Sequence, residues 1–319
     1  CVRFTSEVSR SNLLGIVDRG SRAYIERLNP DESSDVYSDN VIGLCPTGAL
    51  LSRDFLYKSR VWFLEPVRSV CNGCARVCSV DVWRRKKERQ ARAPGEEKDR
   101  EIYRVTAHDD PEINGPWLCN KGFDLHKMMD RERPPGPLLE GMPSSIERAL
   151  DVARGLLAQA KRPAALVSAQ ASNEELDAFA AALQGRCTIY TREDCRPGSG
   201  EVVEDDLLIK ADKNPNSYGV RMRFGSVPFT ADVAGDHDLF LIWGEWDDYA
   251  SLGRARLIHL TAFAKQQEFF PEVLIPLSMF LERRGSFCNF EGRVNRFEAV
   301  FDKPRLAEHA ERVFAGLRP

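Results

Sequence analysis

After position 145, apolar residues fall into two alternating patterns. In "SSIERALDVARGLLAQA" they recur every three or four positions, putting Ile146, Ala149, Leu150, Ala153, Leu156, Leu157 and Ala160 on one helical face. Ser144, with Glu147 three residues later, reads as the capping box that starts this helix. "PAALVSAQ" (163–170) is instead a short unbroken apolar run, the mark of a buried strand. A second capping box, Ser172 with Glu175, opens a helix carrying Leu176, Phe179, Ala180 and Leu183, and "CTIYT" (187–191) completes a β-α-β unit. "DLFLIWG", "RLIHLTAF" and "EVLIPL" read as further buried strands. Short strands alternating with helices predict a mostly parallel α/β sheet over 145–319.

The earlier half is patterned differently. Residues 1–60 are mixed, with a Ser/Asp-rich loop, "NPDESSDVYSDN", leading into "VIGLCPTGAL". Residues 61–137 hold a tight cluster of cysteines, interrupted by the charged insertion "RRKKERQARAPGEEKDRE". The Pro/Gly-rich "RERPPGPLLEGMPSS" reads as a linker. The whole predicts a multidomain α/β and α+β chain. Its 319 residues suffice for two or three domains, and 43% hydrophobic with 29% charged residues is a globular profile. No apolar run approaches the ~20 residues of a membrane helix, so any membrane association is expected through partners. A net charge of -3 offers no field that would recruit nucleic acid.

The nine cysteines change the picture. Their odd number, and their concentration before residue 120, argue for metal binding over a disulfide framework. "SVCNGCARVCSVDVW" spaces Cys71, Cys74 and Cys78 as C-x2-C-x3-C, and Cys119 follows in "GPWLCNKG". One loop wraps three thiolates around a centre while a distant fourth locks a second segment onto it. Zinc or an iron–sulfur cluster fits four thiolates. Zinc knuckles would place another cysteine two residues from Cys119, and none is there, so the spacing favours [4Fe–4S]. Cys45-Pro46 is a second, weaker signal, because a remote cluster ligand is often followed by proline.

Taken in order, "CVRFTSEV", "GIVDRGSRAYIE", "SDNVIGLCPTGALLSRDFLYKSRVWFLEPVRSVCNGCARVCSV" and "GPWLCNKG" resemble the large iron–sulfur subunit of NADH–quinone oxidoreductase, respiratory complex I. The related iron–sulfur subunits of NAD-linked hydrogenases and formate dehydrogenases share these stretches. "EVLIPLSMFLERRGSFCNFEGRVNRF" resembles the same family's molybdopterin-oxidoreductase-like domain. The resemblance implies three parts: the C-terminal part of a ferredoxin-like [4Fe–4S] domain over 1–60, a molybdopterin-oxidoreductase-type [4Fe–4S] domain over 61–137, and a reduced, pterin-free α/β domain over 145–319. It implies that Cys71, Cys74, Cys78 and Cys119 hold one [4Fe–4S] cluster. Cys45 matches the remote ligand of a second cluster and Cys1 the third of a C-x2-C-x2-C run, whose first two cysteines would lie upstream of residue 1. The chain thus reads as a short, N-terminally truncated member.

Lys121 matches a Lys-Gly of molybdenum and tungsten relatives, where the lysine lies between cluster and pterin; an ordinary surface lysine is the plain alternative. Arg76 either donates to a cluster sulfur or is solvated, and His126 reads as a satisfied surface histidine. Cys187, Cys195 and Cys288 read as buried small hydrophobes, and Arg84 to Arg92 as a solvated arm. Catalytic pterin relatives enclose two large cofactors in much longer chains, and residues 145–319 suffice for one compact α/β unit, so no molybdopterin is expected.

The implied function is electron transfer as a subunit of an NADH dehydrogenase (quinone) complex, with no complete active site on this chain. Single electrons would pass from NADH and flavin towards quinone. Partners would be a flavin/NADH-binding subunit and quinone-side iron–sulfur subunits. The expected place is the cytoplasm, peripheral on the inner membrane through the complex. Two alternatives stand beside it: the iron–sulfur or catalytic subunit of an NAD-linked formate dehydrogenase or hydrogenase, and a zinc-stapled structural module.

Overall fold

The computed structural model describes residues 1–28, 35–86, 101–192, 198, 200–246, 248–263, 270–301, 304 and 306–318. Two compact units emerge: Cys1–Lys127 with Pro197–Ala211, and Met128–Arg196 with Asp212–Pro319. Most of the charged insertion (87–100) and Cys195 lie outside the described residues.

The first unit is built from small elements. Strands β1 (Leu14–Val17) and β2 (Tyr24–Arg27) pair antiparallel, and a short helix α1 (Asn40–Leu44) precedes Cys45. Strands β3 (Leu64–Val70), β4 (Ser79–Arg85) and β5 (Ile102–Ala107) form an antiparallel three-stranded sheet. Alternate residues Val80 and Val82 of β4 are fully buried, as the two-residue side-chain period of a half-covered strand requires. Arg84 departs from the solvated-arm expectation. It is buried on β4, with Nε 3.0 Å from the Glu65 carboxylate across the pair. Helix α2 (Asn120–Phe123) follows directly on Cys119.

The second unit is a seven-stranded sheet. Strands β6 (Leu138–Leu139) and β7 (Met142–Pro143) precede α3 (Ile146–Gln159), β8 (Pro163–Ser168), α4 (Asn173–Leu183), β9 (Thr188–Arg192) and α5 (Ser217–Phe224). Strands β10 (Leu239–Trp243), β11 (Arg256–Thr261) and β12 (Val273–Pro276) follow, then the hairpin β13 (Gly285–Cys288) and β14 (Val294–Phe297), and α6 (Ala310–Gly316). The order is β7-β6-β12-β11-β10-β8-β9, with the five from β12 to β9 mutually parallel. This is the expected parallel α/β sheet in doubly wound form, its order reversing between β8 and β10.

Alternation sorts the core. Ala165, Val167, Leu239, Leu241, Trp243, Ile258 and Leu260 face α3, α4 and α6, while Ala164, Leu166, Phe240, Ile242 and Leu257 belong to the core of the opposite face. Phe179 is fully buried, with ring centroids 5.6 Å from Trp243 and 5.3 Å from Phe314. Burying a side chain of that size stabilises the fold by about 1.5–3 kcal/mol.

Two local expectations need correction. The cap of α3 is Ser145, whose side chain accepts from Arg148 N–H; Ser144 sits one residue too early and its hydroxyl is buried without a partner. The stretch read as a linker supplies the antiparallel edge hairpin β6-β7. Its turn, Glu140-Gly141, has φ of 48° and 80°, the left-handed pair that a two-residue hairpin demands. The second capping box, Ser172 with Glu175, is present as expected.

Candidate metal centre

The hairpin between β3 and β4 carries three of the four predicted ligands. Cys71 N–H donates to the Cys78 carbonyl at 2.8 Å, closing the loop where the ladder ends at Val70–Ser79. Within it, Val77 N–H returns to the Cys74 carbonyl at 3.2 Å, and Val77 takes a left-handed φ of 57° while fully buried. A β-branched residue there is strained, and the strain is held by the packed sheet beneath.

Cys119 comes from another direction, as the N-cap of α2. Three asparagines, Asn40 and Asn114 buried and Asn120 half-buried, set its position. Asn40 donates to the Leu118 carbonyl at 2.6 Å and accepts from Leu118 N–H at 3.1 Å. Asn120 donates to the Asp35 carbonyl and Ser38 Oγ, each at 3.0 Å, and accepts from Asp39 N–H at 3.1 Å. Asn114 accepts from Ser79 N–H at 2.7 Å and donates to the carbonyls of His108, Gly115 and Trp117. These asparagines carry no sequence signature, because each acts through backbone far away along the chain.

The four thiols are electrostatic neighbours. Cys71 and Cys78 are buried, and burial is the main cause that pushes their pKa values well up; charge on the other cysteines adds to it. Burial also pushes Cys119 up to about 11, against donation from the Gly122 and Lys121 amides. Gly73 N–H lies 3.4 Å from Cys71 Sγ. Among the described residues, no group of three or more His, Cys, Asp or Glu could hold a single metal ion.

Two cations border the site. Lys121 favours the thiolate form of Cys71, and its Nζ is 3.2 Å from Glu201 Oε2. Arg76 favours the thiolate form of Cys78 while its Nε donates to the Ile113 carbonyl at 2.8 Å. His126 faces Asp54 at 3.6 Å and the Phe123 carbonyl at 3.0 Å, a satisfied histidine.

Cys1 and Cys45 are placed differently. Cys1 is half-buried just before the helical turn Phe4–Val8. Cys45 is partly exposed, with Thr47 Oγ1 3.6 Å from its sulfur. The Thr47 side chain and the amides of Leu50, Ala49 and Thr47 lower its pKa to about 7. The loop after Cys45-Pro46 is thus a cradle of donors for a thiolate. Cys187 is half-buried against the core of the sheet unit, its pKa raised by burial to about 11. Cys288 is more polar than expected: its sulfur is 3.5 Å from Asn173 Nδ2 and its N–H donates to Asn216 Oδ1.

In the sheet unit, a nucleotide or pterin phosphate would be received at the start of α4, beside the reversal of strand order. Carboxylates of the chain occupy it. Glu175 accepts from Ser172 N–H at 2.8 Å and from Arg283 at 2.5 Å, and Glu174 accepts from the Ser286 amide and hydroxyl, both at 2.8 Å. A phosphate does not fit there as the side chains stand. Among the described residues no helix is long and apolar enough to cross a membrane.

Comparison with known proteins adds independent findings. Residues 1–51 match the family model described as NADH-quinone oxidoreductase subunit 3, ferredoxin-like domain. Residues 64–131 match that described as molybdopterin oxidoreductase Fe4S4 domain. The G-type subunit of NADH-quinone oxidoreductase from Streptomyces coelicolor is 29% identical over 216 residues, covering 65% of this chain and 24% of the relative. Subunit 3 of the same enzyme from Thermus thermophilus is 27% identical over 139 residues, covering 44% and 16%. The mitochondrial NADH dehydrogenase [ubiquinone] iron-sulfur protein 1 of Solanum tuberosum is 32% identical over 145 residues, covering 44% and 17%. The chain spans a quarter or less of the length of these relatives.

Proposed function

On the premise that the chain carries a ferredoxin-like domain of the NADH–quinone oxidoreductase subunit 3 type and a molybdopterin oxidoreductase Fe4S4 domain, we propose that it is an electron-transfer subunit of a complex I-type assembly. What supports this reading is the placement of Cys71, Cys74 and Cys78 on one hairpin loop, with Cys119 at the start of α2 in a segment that Asn114 ties to the same hairpin. Those four residues would hold one [4Fe–4S] cluster, which when bound takes up and passes on single electrons. Cys45 and Cys1 would belong to a second cluster, and the donor cradle at Cys45 supports a thiolate there.

The protein's own work is to fix and shield the site. Asn114 ties the Cys119 segment to the hairpin through Ser79 N–H and the Trp117 carbonyl, Val77 within the ligand loop is fully buried, and Lys121 and Arg76 would offset thiolate charge. No general acid, base or nucleophile is needed. Residues 1–60, 61–137 and 145–319 form the proposed division, with the last part a pterin-free scaffold and docking body. The carboxylates at the start of α4 support that role. NADH and flavin chemistry, and quinone reduction, would sit on partner subunits, with the chain peripheral to the membrane through them.

Anaerobic purification tests the reading. A brown protein whose broad visible absorption is bleached by dithionite, with about four iron and four sulfide per complete cluster, is the expected result. A colourless chain holding a single zinc would overturn it.

A further inference from the structure

The stretch 200–211 follows β9 of the sheet unit in sequence but packs with the cluster unit. It contains four acidic residues, Glu201, Glu204, Asp205 and Asp206, of which Asp205 bonds Tyr37 and Glu201 pairs with Lys121. Asp205 anchors the stretch. Its carboxylate accepts from Tyr37 Oη at 2.6 Å and from the amides of Leu207, Leu208 and Ile209 at 2.9–3.0 Å. Leu208 N–H also donates to Tyr37 Oη at 3.1 Å, and the Leu208 side chain is buried. A loop held this firmly presents its charge at a fixed point. Tyr37 in turn adjoins the ligand segment, since the carbonyl of its neighbour Val36 accepts from Asn120 N–H, one residue after Cys119, at 2.7 Å.

Glu201 acts on the other side. Its carboxylate pairs with Lys121 Nζ at 3.2 Å, and the Lys121 stem lies against Gly73 in the loop between Cys71 and Cys74. One carboxylate therefore adds negative charge beside one ligand, while the other offsets positive charge beside another.

We propose that the 200–211 stretch trims the redox potential of the iron–sulfur site, Asp205 and Glu201 holding its midpoint below the value the four cysteines alone would give. The inference rests on the reading of Cys71, Cys74, Cys78 and Cys119 as cluster ligands. Reduction adds one electron from an external donor, and with it one negative charge, to the cluster. A fixed carboxylate nearby disfavours that charge, so it stabilises the oxidised form. Asp205 is half-buried and acts through a poorly screened path; Glu201 is exposed and its influence falls with salt.

The test is an EPR-monitored redox titration of the full chain carrying its cluster, with dithionite as reductant. Asp205→Asn and Glu201→Gln are each expected to raise the midpoint potential, and Lys121→Gln to lower it. The shift from Glu201→Gln should shrink in high salt, while that from Asp205→Asn persists. Glu204→Gln, whose residue pairs with Lys210 at 3.0 Å, should leave the midpoint in place. Unchanged potentials in both Asp205→Asn and Glu201→Gln, with iron content intact, would overturn the proposal and leave the ligand assignment standing. A wild-type chain that binds no iron would instead overturn the assignment, and this proposal with it. Glu201 lies at the surface, so its variant keeps the experiment decisive if Asp205→Asn fails to fold.

Discussion

Cys45 and the group Cys71, Cys74, Cys78 and Cys119 are read as ligands of the same kind of cluster, yet they meet opposite surroundings. Cys45 lies near the surface in a loop of converging amides and a threonine hydroxyl, which bring its pKa to about 7. Cys71, Cys78 and Cys119 lie in the interior, where loss of water holds the thiols protonated. The cradle at Cys45 is preorganised for charge with or without metal. The interior site becomes charged only when something positive arrives to balance it. Metal binding there would be coupled to proton release and to folding, and at Cys45 far less so.

The largest test of that contrast is Cys74→Ser. Iron at the interior site is expected to be lost altogether, and the β3-β4-β5 sheet to melt earlier, by thermal unfolding, because its closing loop loses its centre. Retention of the iron would break the contrast at its root.

Alkaline pH tests it in the iron-free chain. A thiol whose folded pKa is raised contributes stability that is full below the unfolded value of about 8.5 and is lost as pH climbs through the folded one. For Cys119 that window runs from about pH 8.5 to about 11. Circular dichroism melts of iron-free protein should therefore lose ground across this range, and the cluster-loaded chain should not. Equal loss in both forms would contradict the coupling.

A smaller effect is expected at Cys45. Iodoacetamide should alkylate it with a half-maximal rate near pH 7 in iron-free protein, well before the interior thiols react. Thr47→Val removes the leading cause of the lowering, so the profile should move up towards the ordinary value of about 8.5. An unmoved profile would assign the cradle to the backbone amides alone. The smallest expected effect is that of Cys187→Ser, which should leave the iron content unchanged; a fall in iron would overturn the division of the cysteines into ligands and bystanders.

How much of this was readable in advance varies by element. The parallel sheet was readable strand by strand, since 239–243 is an unbroken apolar run and 256–261 carries Leu257, Ile258 and Leu260 in a short β-branched and apolar stretch. The capping box at Ser172 was readable because its reciprocal bonds are local. The hairpin at 138–143 was hidden, since two-residue strands carry no period; Glu140-Gly141 was its one cue. Ser144 and Ser145 are chemically alike, and only backbone geometry decides which one caps. At the candidate metal site, spacing pointed to four cysteines as the proposed ligands. It could not name Asn40, Asn114, Asn120 or Asp205, whose partners are fixed by tertiary structure.

The stretch that trims the site also sets an order of events during synthesis. Residues up to Lys127 leave the ribosome with every cysteine of the interior group in place, but 200–211 has still to be made. At about 5–20 residues per second, on the order of ten seconds pass before Asp205 can reach Tyr37. In that interval the ligand segments are complete but lack the carboxylates of Asp205 and Glu201. A cluster bound by the nascent chain would therefore have a higher midpoint potential than one bound by the finished chain.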